Sequence, residues 1–151
     1  MSKQPEIPMH RSLIPSLLIS IALLGTARSG FSDDTDPRVS LGLTDAERIE
    51  FLAEMRQMLA SIQGIVAAIG IEDRDAIAAA ARLSGNRMAR ATPAEVRAKL
   101  PQSFKALGGP THLLFEEIAL RADTDDMADL TVLTGSTLEQ CLACHAQFRA
   151  D

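Results

Sequence analysis

Apolar residues recur at steps of three and four through Leu52, Met55, Leu59, Ile62, Val66 and Ile69. That spacing marks one face of an α-helix and predicts a first helix over 45–70. Thr44 stands where an N-cap belongs, Asp45 and Glu47 bring negative charge to the first turn, and Gly70 fits a C-cap. A second helix follows Asp73 and carries Ile77, Ala80, Ala81, Leu83 and Met88, with Gly85 and Asn86 weakening its far end. Thr92-Pro93-Ala94-Glu95 has the form of a capping box with Pro at the first helical position, and predicts a short helix reaching Leu100 that Pro101 stops. Gly108-Gly109-Pro110 predicts a turn, after which Thr111 caps a third main helix through Leu114, Phe115, Ile118 and Ala122. The last helix begins at Asp125 or Asp126 and runs to the C-terminus, with Asp123 and Asp129 completing a solvated acidic start. Gly135 costs it about 1 kcal/mol relative to Ala. Ser136-Thr137-Leu138-Glu139 offers a second capping box, at which that helix would break and restart.

Four main helices joined by short connections predict an all-α fold, an antiparallel four-helix bundle. Composition agrees. The chain is 46% hydrophobic yet has no Trp, no Tyr and five Phe, so aliphatic helix formers outweigh the aromatic residues that favour sheets. No internal repeat or low-complexity segment interrupts it.

The first residues carry a different pattern. Lys3, His10 and Arg11 precede an apolar stretch from Leu13 to Leu24, and the small residues Gly25, Thr26, Ala27, Ser29 and Gly30 follow. Basic region, apolar core and small residues are the order of a secretory signal, with cleavage after Ala27 or Ser29. The apolar core is shorter than the roughly 20 residues of a spanning helix, which disfavours the alternative of an uncleaved membrane anchor. The expected organisation is a signal peptide over 1–29, a linker over 30–43 holding Pro37 and Gly42, and one domain over 44–151. Export from a bacterial cytoplasm places that domain in the periplasm. Setting 1–29 aside removes three of 15 basic and one of 20 acidic residues, which takes the net charge from −5 to −7. An acidic domain repels nucleic acid and suits a basic protein partner.

Candidate chemistry is concentrated at the other end. Cys141 and Cys144 are the only cysteines, and His145 follows directly. At 100° per residue Cys144 lies about 300°, and His145 about 40°, around the helix from Cys141. All three then share a face with Leu138 and Phe148. Two thiols one turn apart suit thioether bonds to the two haem vinyl groups, and the adjacent imidazole suits the proximal position on the iron; Cys-x-x-Cys-His is the signature of c-type haem attachment. A redox-active disulfide is the alternative, although such motifs open a helix after a strand. Zinc would need four ligands, and one Cys pair with one nearby His falls short.

A Cys-x-x-Cys-His motif in the last helix of a helical bundle resembles the cytochrome c prime family, the class II c-type cytochromes. The similarity covers residues 44–150 and adds Gly135 and Phe115 to the motif. It implies one covalent haem c and a distal residue supplied by the first helix. An aliphatic residue there leaves the iron five-coordinate and open to gases such as NO and CO; a methionine gives the low-spin His/Met relatives, which carry electrons. The matching position is Met55, with Met58 as second choice. Met55 lies on the predicted stripe and Met58 at its edge, and a neutral thioether favours reduced iron, while ordinary core filling is the other use of a buried Met. Family members often have Arg one turn before the distal residue, whereas this chain has Phe51. They often form homodimers through the first helix. His112, beside a predicted helix start, suits a cap-adjacent or solvent-facing place better than a second haem ligand. Met88 and Met127 fit packing roles near helix ends. No acid–base constellation stands beside the motif, so an electron carrier with redox-protein partners is expected, and not an enzyme.

Overall fold

The computed structural model describes residues 36–151, which fall within one compact unit; the signal peptide expected over 1–29 lies outside the described residues. Among the described residues the fold is mostly helical: α1 (Asp45–Ile69), α2 (Arg74–Arg82), α3 (Asn86–Ala91), α4 (Ala94–Lys99), α5 (Gln102–Arg121) and α6 (Met127–Gln147). Two short strands, β1 (Val39–Ser40) and β2 (Phe148–Arg149), pair in parallel, Val39 with Phe148 and Ser40 with Arg149. Helix packing runs in a closed cycle, α1 on α2, α2 on α5, α5 on α6 and α6 on α1, while α3 rests on α5.

Local chemistry starts three of these helices. Thr44 and Glu47 form a reciprocal capping box on α1, Asp73 accepts from the Ala76 amide at the start of α2, and Asp126 accepts from the Asp129 amide at the start of α6. Each satisfies amides that a helix start leaves without partners.

The inward face of α1 is not the stripe expected above. Phe51, Met58, Ile62, Ile65 and Ala68 are buried, whereas Leu59 is 68% and Val66 55% exposed. Both stripes step by three and four, and both pass through Met55, Ile62 and Ile69. The register that wins places Ile65, wholly buried, against the core of Ile77, Phe115, Ile118 and Leu130. Burial of side chains of this size contributes about 1.5–3 kcal/mol each.

Three further expectations are corrected. Gly108-Gly109-Pro110 is no turn: α5 runs through it, and Thr111, in place of capping a helix, donates from Oγ1 to the Leu107 carbonyl at 2.8 Å within one. Pro110 lacks an amide to donate, a loss of about 3 kcal/mol in a helix interior. Buried Phe104 on one side and Thr111, Phe115 and Ile118 on the other anchor both halves and outweigh it. The box over 92–95 does not form, because Pro93 becomes the N-cap of α4 without a side-chain hydrogen bond. The second box is also unused. α6 passes unbroken through Gly135 and Ser136, then stops at Gln147, where the chain turns extended into β2 short of the C-terminus.

Residues 36–43, placed by sequence within a linker, pack as a strap. Leu41 and Leu43 are buried with Phe51, Val96, Leu100, Phe104 and Phe148 in a second core cluster. Polar ties close other gaps. The Ser61 and Ser84 hydroxyls meet at 2.8 Å in the interior, and Arg74 donates to the Ala122 and Asp125 carbonyls at 2.6 and 2.7 Å. Met88 and Met127 pack against the main core, as expected. His112 lies inside α5, with Nδ1 donating to the Ser84 carbonyl at 2.7 Å.

Two predictions follow from this packing. A Cβ built on Gly64 of α1 would meet the Ala80 Cβ of α2 at 3.0 Å, whereas one on Gly135 meets nothing within 4 Å. Gly64→Val should therefore destabilise by about 1–3 kcal/mol through overpacking, despite the better helix former. Gly135→Ala should stabilise by about 0.5–1 kcal/mol. Urea titrations of the two variants would move in opposite directions. Separately, Lys99 Nζ holds both Glu47 oxygens at 2.8 and 2.7 Å and Thr44 adds two donors, which together lower the Glu47 carboxyl from 4.5 to about 2. A depressed folded-state pKa gives stability that is present above 4.5 and lost as pH falls towards 2. Glu47→Gln should flatten the dependence of unfolding free energy on pH across that window.

Candidate functional site

The inner stripe of α6 leads to the predicted chemistry. Leu130, Thr134 and Thr137 are buried, and Cys141 and Cys144 continue their spacing, each half-buried. The two threonines turn their hydroxyls back to the Leu130 and Leu133 carbonyls, at 2.7 and 3.0 Å, and so present little polarity to their neighbours. Leu138, expected on the motif's face, is 39% exposed. Phe148 reaches the site by leaving the helix. Both cysteines are free thiols, and burial raises the pKa of each. For Cys144 the neighbouring Cys141 adds to the shift.

A cleft of about 410 Å³ adjoins this helix end. Cys144 and His145 stand on one wall; Phe51, Leu52 and Met55 of α1 and Phe104 of α5 supply the apolar surface. Phe148 and Leu41 extend it, and Asp36, Arg38, Arg149 and Asp151 give it a charged rim. Residues from the first and last helices are thus brought to one cavity, Met55 with His145. Met58, the second choice, is buried among the main core residues and does not line the cleft. His112 lies away from it, on the Ser84 carbonyl. Phe51, where the family resemblance would put Arg, packs its ring on Phe104 at 5.8 Å between centroids.

The strap is the part of the site that sequence reasoning missed. Its signal was the alternation of Val39, Leu41 and Leu43 with Ser40 and Gly42, a period of two. The Leu41 amide donates to the Arg149 carbonyl at 3.0 Å, Arg149 Nε to the Arg38 carbonyl at 3.2 Å, and Arg38 Nη1 to the His145 carbonyl at 3.2 Å. Asp36 grips the Arg38 guanidinium, with a shortest contact of 2.6 Å, which lowers its carboxyl to about 2.

The donor set suits a haem. Two reduced thiols lie one turn apart, an imidazole adjoins the second, a thioether shares its cavity, and the volume falls in the range of small-molecule sites, about 300–1,000 Å³. Among the described residues no group of three or more His, Cys, Asp and Glu is arranged to hold a metal ion by itself, so the two thiols and the imidazole do not form a chelating cluster. No protein-family model, curated protein or solved structure matches this chain.

Half-buried, raised-pKa thiols react through a scarce thiolate. In the unloaded chain Cys141 and Cys144 should be alkylated by iodoacetamide more slowly than free cysteine at neutral pH. Mass spectrometry over time would check this, and rates equal to free cysteine would contradict the burial.

Proposed function

We propose that this chain is an exported monohaem c-type cytochrome that carries electrons, built as an antiparallel four-helix bundle of α1, α2, α5 and α6 and related to the cytochrome c prime family. One observation carries it: the cleft shared by Met55, Cys144 and His145. Cys141 and Cys144 would hold the group through two thioethers, and His145 would be the proximal iron ligand. Met55, on the cleft wall, would be the distal one. When bound, haem supplies a one-electron couple. The chain's residues would set its character: a neutral, soft Met55 thioether on the metal would favour the reduced form and raise the potential. Phe51, Leu52 and Phe104 give the cavity an apolar wall, and the lower local dielectric would act in the same direction.

Export rests on the pattern of residues 1–29, outside the described residues; among the described ones no helix is long and apolar enough to cross a membrane. Partners would be redox proteins with a basic surface, matched to the acidic domain. A homodimer would use the exposed row of Leu59 and Val66 on α1.

The test is the protein matured with haem. Its mass should exceed that of the polypeptide by one haem, and acid–acetone should leave the colour on the protein. Its ferrous spectrum should be low-spin and unchanged by carbon monoxide. A high-spin spectrum that shifts with the gas would favour a five-coordinate gas-binding protein, and an unmodified mass would leave a thiol redox protein. Met55→Ala should convert the iron to high spin. Met58→Ala should leave the spin state alone and cost about 2–5 kcal/mol of stability as a core truncation.

A further inference from the structure

The cleft is amphipathic in a definite way. Its α1 wall, Phe51, Leu52 and Met55, is uncharged, so a cation for an anionic ligand edge must come from elsewhere on the cavity. Arg38 stands on the rim, on the strap before α1. Its guanidinium is fixed in place: Nε bridges both Asp36 oxygens at 3.0 and 3.1 Å, Nη2 donates to Asp36 at 2.6 Å, and Nη1 donates to the His145 carbonyl at 3.2 Å. A guanidinium has five N–H donors. Those contacts engage three, which leaves one on each Nη without a partner among the described residues. Arg149, also on the rim, directs Nε to the Arg38 carbonyl and Nη1 to Asp151 and so braces the strap.

Haem is itself amphipathic, an apolar macrocycle with two carboxylates on one edge. Building on the haem reading above, we propose that Arg38 is the recognition group for a carboxylate of the bound porphyrin, so that the segment preceding the first helix completes the cofactor site. Asp36 sets the orientation of the guanidinium, and the His145 carbonyl ties it to the same helix turn that bears the proximal ligand. A planar, pre-oriented guanidinium suits a carboxylate better than a flexible ammonium does.

A thermodynamic cycle tests this on the unloaded full chain, with ferric protoporphyrin IX and its dimethyl ester as probes and Soret absorbance as the readout. The wild type should bind the diacid about tenfold tighter than the diester, the scale of one hydrogen bond to a charged group. Arg38→Gln should bring that ratio close to one, and Arg38→Lys should retain part of it. Because each variant is compared with itself on two probes, a general loss of fold weakens both and does not imitate the result. A wild-type ratio of one, or an undiminished ratio in Arg38→Gln, overturns the assignment and leaves the haem reading standing. Failure of the wild type to bind either porphyrin overturns both.

Discussion

Phe104 holds its ring between those of Phe51 and Phe148, with centroids 5.8 and 5.4 Å away, tilted against the first and edge-on to the second. Such pairs add about 0.5–1.5 kcal/mol beyond the area they bury. Their larger effect is positional. Phe51 is one turn from Met55 on α1, and Phe148 follows α6 shortly after His145, so one ring from α5 fixes the two sides of the cleft. Gly108 leaves the ring room: a Cβ there would press to 3.3 Å on the Phe104 ring, which would have to give by a few tenths of an ångström. The glycine that marks a turn in the sequence marks a ring contact in the fold.

That reversal shows which features of the chain were legible. Caps whose partners lie within three residues, at Thr44, Asp73 and Asp126, are written locally and formed. The boxes over 92–95 and 136–139 have similar letters and did not form, since Pro93 occupies the cap position of one and the other lies inside a helix already anchored by Leu130, Thr134 and Thr137. Periodicity on α1 identified a wide apolar arc and left the choice of stripe to the partners. Ser61 and Ile65 are buried because Ser84 and Ile77 meet them, and nothing near them in sequence says so.

Met55 kept its place for a physical reason. It belongs to both candidate stripes, so rotation of the helix from one register to the other does not remove it from the interior edge. It packs against both core clusters, at the seam where the cleft opens. Met58 belongs to the winning stripe alone and is drawn into the main core. The methionine with two possible registers faces the cavity, and the one with a single register fills space.

The strap answers a difficulty inherent in placing chemistry at a helix end. The last carbonyls of an α-helix have no amide partners within it, and this end frays unless they are satisfied. In α6 two of those carbonyls belong to the motif. The Cys144 carbonyl accepts from the Phe148 amide, and the His145 carbonyl from Arg38 Nη1 at 3.2 Å. One donor is the first residue of β2, and the other comes from the opposite end of the described chain. β2 is in turn held by its parallel partner, with Leu41 and Phe148 buried beside it. A two-residue strand pair is negligible as a sheet; as a clamp it holds the final turn helical, and so holds the Cys141 and Cys144 thiols and the His145 imidazole at the spacing of one helical turn.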